Sequence, residues 1–116
     1  KTSRLKYEIS DMNHAKLLFE LMRINNETAK EPNFESWANE FRLMRERDQR
    51  TDEQIEFLIR WTQQHHFWLT NILSPAKLRK QWDKLVLQVK AEKEGGKNGA
   101  YRQVAQANEH KVDLGF

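Results

Sequence analysis

Three acids recur at a spacing of four: Asp48, Asp52 and Glu56. Paired carboxylates of this kind could hold a catalytic cation or move a proton. A plainer reading competes. Asp52 falls where the first turn of a helix favours an acid, and Glu56 precedes Arg60 by four residues, the spacing of a helical ion pair. An acid-dependent nuclease therefore ranks third among the functions considered. His65 and His66 are adjacent, so on a helix they would face different ways. Zinc asks for further ligands at a defined spacing, and His14 and His110 lie in unrelated segments. No metal, cofactor or catalytic residue is expected. The sequence has no glycine-rich phosphate loop and no G-x-S-x-G elbow. Ser74 reads as a helix cap rather than a nucleophile.

A second chemistry is stronger. From Lys77 to Lys93 there are six cations (Lys77, Arg79, Lys80, Lys84, Lys90, Lys93) against Asp83 and Glu92. Lys77, Lys80 and Lys84 stand at i, i+3 and i+7, a single ridge on one helix. Trp61, Phe67 and Trp68 precede it directly. A phosphate backbone would find the ridge and the amides at the helix start, while a ring could stack a base. Six phosphate contacts on a single strand would give a salt slope of roughly −4. The competing reading is a solvated charged face, and it stays open. Phe67 reads as core. Trp61 and Trp68 stand evenly between core and exposed platform. The candidate DNA-binding residues are Lys77, Arg79, Lys80, Lys84, Trp68, Trp61 and Arg60.

These residues need helices to place them. Ser10 or Asp11 can cap a first helix running to about Asn26, with Met12, Ala15, Leu18, Phe19 and Met22 at helical spacing. The stretch "NNETAKEPN" breaks it, and Asn33 caps a second helix. There Phe34, Trp37, Ala38, Phe41 and Met44 form one face. Thr51 and Gln54 have the form of a capping box for a third helix, Asp52 to Gln64, whose buried stripe is Ile55, Leu58, Ile59 and Thr62. Residues 65–73 read as a short turn or a single helical turn. Ser74-Pro75 starts a fourth helix with Leu78, Trp82, Leu85 and Val89 inward. The expected fold is all-α: a bundle of about four helices over 11–92, a basic lead-in over 1–10 and a disordered tail over 93–116.

The totals agree. The chain has 116 residues, 38% hydrophobic and 32% charged, with a net charge of +3. The mean hydropathy is −0.93. Four Trp and six Phe argue against a wholly disordered chain. The absence of cysteine excludes a disulfide scaffold and a thiol nucleophile, and suits a reducing cytosol. No apolar run approaches a membrane span. The chain begins at Lys1, which reads as a fragment or a processed chain.

The segments "PNFESWANEFRLMRERDQRTDEQIEFLIRW" and "FWLTNILSPAKLRKQWDKL" resemble the C-terminal domain of phage and prophage replication proteins of the DnaD-like group. The matching positions include Trp37-Ala38, Arg42-Leu43, Asp48, Arg50, Ile55, Ile59, Trp61, the "FW" at 67–68 and "NILSP" at 71–75. "KLR" at 77–79, Asp83 and Leu85 complete it. The similarity covers about 12–90, and Trp82 stands where relatives more often have Phe. DnaT is a looser likeness. The resemblance implies a helical bundle in the cytoplasm of a bacterial host. It also implies binding to DNA, often single-stranded and without sequence preference, and contact with the replicative helicase or its loader. Self-association is left open. An N-terminal winged-helix domain often accompanies such a domain. Lys77 and Arg79 fall on the matching basic motif, so the resemblance adds weight to the DNA role proposed for them. The alternative is a protein-interaction module alone, with DNA binding located elsewhere.

Overall fold

The structure, a computed structural model, describes residues 7–95. Residues 1–6 of the expected lead-in over 1–10, residues 96–116 of the expected tail over 93–116 and the side chain of Lys93 lie outside the described residues. The described residues are helical, with no strand among them: α1 Ile9–Asn25, α2 Phe34–Glu46, α3 Asp52–Gln64, a 3-10 turn Trp68–Thr70, α4 Pro75–Lys80 and α5 Trp82–Gly95. The all-α expectation holds. The chain divides into two units, 1–80 and 81–116.

In the first unit, α1 lies against α2 and α3, α4 against α2, and the 3-10 turn against α3. Each helix forms for a local reason. The Glu8 backbone N–H donates to Asp11 Oδ2 at 2.8 Å and closes the start of α1. Asn33 accepts from the Ser36 amide at 3.0 Å at the start of α2. Thr51 and Gln54 cap each other's backbone amides, as the capping box predicts. The stripes then meet: Ala15, Leu18 and Phe19 of α1, Ala38, Phe41 and Met44 of α2, Ile55, Leu58 and Ile59 of α3. Phe41 is fully buried, and removing its ring would cost about 3–5 kcal/mol. Trp37, expected in this core, is only half-buried.

The turn between α2 and α3 is tight. The amides of Asp48 and Arg50 return to the carbonyls of Leu43 and Met44, at 3.1 and 2.9 Å. That path places Gln49 at φ 60°, the left-handed region that favours glycine.

The fourth helix differs from expectation. It stops at Lys80, turns at Gln81 and restarts at Trp82. No Gly or Pro occurs from Ala76 to Glu92, so no local punctuation announces the break. In the second unit, α5 carries Trp82, Leu85 and Val89 as its buried stripe and leaves Leu87 exposed.

Candidate functional site

The aromatic corner is built where α3 ends. Trp61 lies one turn before the C-cap residue His65, and their ring centroids are 4.7 Å apart, tilted by 42°. His65 in turn stacks on His66 at 4.9 Å and 15°. The Phe67 backbone N–H donates to His65 Nδ1 at 3.2 Å, which holds that imidazole in place. Three rings therefore form a short ladder in which Trp61 and His65 are half-buried and His66 is exposed.

The next pair reverses the expected roles. Phe67, expected in the core, is 51% exposed, whereas Trp68 is 4% exposed. Their rings meet edge-on at 4.9 Å and 85°. Trp68 opens the 3-10 turn that lies against α3, so its indole is directed inward and offers no free face to a base. Trp68 thus leaves the set of candidate stacking residues. Trp61 stays in it.

Ser74 caps α4 as expected: its Oγ accepts from the Lys77 amide at 3.3 Å. That bond occupies an amide the anion reading needed, and a helix of six residues has only a weak dipole to offer. Lys77 and Lys80 are exposed, and neither makes an ion pair among the described residues. Arg79 is different. Its Nε and Nη2 donate to Asp48 at 2.8 and 3.3 Å, and Nη1 approaches Glu40 at 3.7 Å. The hydrogen bond to Asp48 raises the guanidinium above its ordinary value, against an opposing effect of burial. Arg79 ties α4 to α2 and the turn that follows it, and is a structural cation rather than a free one. Lys84 sits beyond the break at Gln81, so the i, i+7 argument that put it on the ridge no longer applies. Arg60 pairs with Glu56 at 3.0 Å, both half-exposed, a pair worth only a few tenths of a kcal/mol.

The acid row resolves into three separate pairs: Asp48 with Arg79, Asp52 with His14 at 3.1 Å, and Glu56 with Arg60. They share no common centre. Among the described residues no three of His, Cys, Asp and Glu are grouped to hold a metal. An open cleft of about 530 Å³ is lined by Glu40, Asp48, Arg50, Ala76, Arg79 and Lys80, and cations and acids are mixed across it.

Charge placement also departs from the ridge picture. Residues 7–80 hold eleven Lys and Arg against twelve Asp and Glu, a net of −1. The excess of the whole chain lies in 1–6, through Lys1, Arg4 and Lys6, and beyond residue 80. Counted with residues 1–6, the first unit holds fourteen Lys and Arg against twelve Asp and Glu, a net of +2, so its general attraction for a phosphate backbone is weak.

Four polar positions that hold the helices together, two of them at the ring corner, were missed from the sequence. Gln63, 3% exposed, donates from Nε2 to the Ile72 carbonyl at 2.8 Å. Asn25 donates to the Gln63 carbonyl at 2.9 Å, so the end of α1, the end of α3 and the 3-10 turn are joined. Asp11 is fully buried and paired with Arg45. His14, 6% exposed, lies on the Phe41 ring at 5.5 Å and reaches Asp52. Asp11, His14 and Leu18 share one face of α1 at i, i+3 and i+7, a signal that hydrophobic periodicity alone passes over.

Residues 13–92 match the family described as phage replication protein O, C-terminal domain. The chain belongs to this family. Replication protein 15 of Enterobacteria phage phi80 is 46% identical over 92 residues, which is 79% of this chain and 30% of that protein. Replication protein O of Escherichia phage lambda is 45% identical over 75 residues, 65% of this chain and 22% of that protein. Protein YfdO of Escherichia coli K12 is 48% identical over 60 residues, or 52% of this chain and 49% of that protein. The chain thus spans under half the length of the curated relatives it matches. No solved structure matches it. The replication protein O match takes in α2, α3, the ring corner and α4 whole. Among the described residues no helix is long and apolar enough to cross a membrane.

Proposed function

We propose that this domain works in DNA replication as a non-enzymatic recruiting module, and that it contacts the replicative helicase or its loader through the segment from Phe67 to Lys80. The support is one observation. Within that short stretch the chain exposes two large apolar side chains, Phe67 at 51% and Leu73 at 49%, together with the unpaired Lys77 and Lys80. Apolar anchors beside free cations, on an otherwise neutral unit, suit an acidic and partly apolar protein surface. The finer likeness to the DnaD-like group, a bacterial cytoplasmic setting and the capacity to self-associate belong to this proposal.

Binding of the purified domain to a replicative helicase and to its loader, measured by calorimetry, tests it. Leu73→Glu and the pair Lys77→Glu with Lys80→Glu should each weaken binding at least about tenfold, as loss of an interface anchor does. No binding to either protein, or binding that ignores all three substitutions, would overturn it.

A second reading is favoured by the ring ladder: direct, sequence-independent binding of single-stranded DNA. The near-neutral first unit and the pairing of Arg79 argue that such binding would not be led by phosphate contacts. It would have to come from stacking, helped by Lys77, Lys80 and Arg60.

A further inference from the structure

We infer that the corner at the end of α3 is a stacking site for the bases of a single strand, with Trp61, His65 and His66 as its successive rings. The inference rests on the single-strand reading above and narrows it to one corner and one physical interaction.

Every base has a flat π-face, and an aromatic side chain of any kind can receive it. What a platform needs is a ring that is held still and open on one side. The corner supplies both. His65 is fixed from behind by Trp61 and from its edge by the Phe67 amide. His66 is laid parallel to it at 15° and is exposed. Adjacent side chains on a helix diverge. Here the chain has just left α3 at the extended C-cap residue His65, and the two imidazoles come together. A base arriving on His66 would extend an existing stack rather than create one, so little side-chain freedom is left to lose.

The corner is also anchored. Gln63 joins the end of α3 to Ile72, and Trp68, two residues after His66, is buried. Arg60 neighbours Trp61 in sequence, and its exposed pair with Glu56 is weak enough to be exchanged for a phosphate. Neither histidine belongs to a group of three metal-ligating side chains among the described residues.

The test compares a labelled 12-nucleotide dT strand with an abasic strand of the same length and charge, by fluorescence anisotropy. The dT strand should bind at least about tenfold more tightly, because only it has bases to stack. His66→Ala should remove most of that difference, and His66→Phe, which keeps a ring, should restore it. Because His66 is exposed, neither change should alter the melting temperature. The salt slope should be shallow, about −2, as expected for three phosphate contacts by Lys77, Lys80 and Arg60. Equal binding of the two strands would overturn the stacking site while leaving single-strand binding in place. Absence of binding to both would overturn the site and the single-strand reading together. Binding that is indifferent to His66→Ala would also overturn the site.

Discussion

Asp11 is fully buried on α1 and receives two hydrogen bonds from Arg45 of α2, from Nε at 3.0 Å and Nη2 at 2.7 Å. The same carboxylate accepts the Glu8 amide, so one side chain starts α1 and fastens it to α2. Arg45→Met would leave that carboxylate buried without a counter-charge and should lower stability by about 3–5 kcal/mol. Adding Asp11→Asn should recover much of the loss. Urea titration of the two single variants and the double variant checks this; additive losses would contradict a coupled pair.

The pH behaviour of this pair has a definite sign. The hydrogen bond to Asp11 raises the Arg45 guanidinium above its ordinary value. A raised cation contributes fully below its unfolded value and loses that contribution only as pH rises through the folded one. Arginine already titrates above about 12 when free, so the clamp should survive mild alkali. Melting temperature should not fall between pH 7 and 10 by more in wild type than in Arg45→Met.

Gln49 holds a left-handed conformation between α2 and α3. Gln49→Gly removes a steric penalty of about 1–2 kcal/mol but adds roughly 0.5–1 kcal/mol of unfolded-chain entropy. The variant should be neutral to about 1.5 kcal/mol more stable. Gln49→Val, β-branched, should be destabilised. Thermal melts of the two variants should move in opposite directions or bracket wild type.

Gln63 should act through the corner it braces. Gln63→Leu leaves the Ile72 carbonyl without its donor and removes a partner from Asn25, a loss of about 1–3 kcal/mol. Hydrogen exchange should quicken first at the amides of Leu69, Asn71 and Ile72, which bond within the same turn. Uniform quickening along all helices would contradict this local role.

The two kinds of cation on α4 should separate experimentally. Arg79→Gln breaks the bonds to Asp48 and Glu40, so it should lower melting temperature while leaving the salt dependence of any partner binding unchanged. Lys77→Glu should do the reverse. A shared phenotype would contradict the assignment of Arg79 to the fold.

Much of this was legible in the sequence, and particular residues show why. Helices α2 and α3 announce themselves by caps and stripes: Asn33, the Thr51–Gln54 box, and Ile55, Leu58 and Ile59 at helical spacing. The break at Gln81 has no such marker, so the i, i+7 spacing of a single helix does not carry across it to Lys84. Phe67 and Trp68 are neighbours of equal apolar character, so pattern could not say which turns inward; the 3-10 turn decides it. Arg79 read as a free cation because its partners, Asp48 and Glu40, lie 31 and 39 residues away in sequence. The His65–His66 stack depends on a backbone bend past the C-cap, which spacing rules for a regular helix cannot anticipate.

Hydrogen exchange of the domain, alone and mixed with a replicative helicase or its loader, tests the central claim most directly. The recruiting account predicts slowed exchange between residues 67 and 80 on mixing, lost in the Leu73→Glu variant. Slowing confined to α1, or no change with either protein, would contradict it.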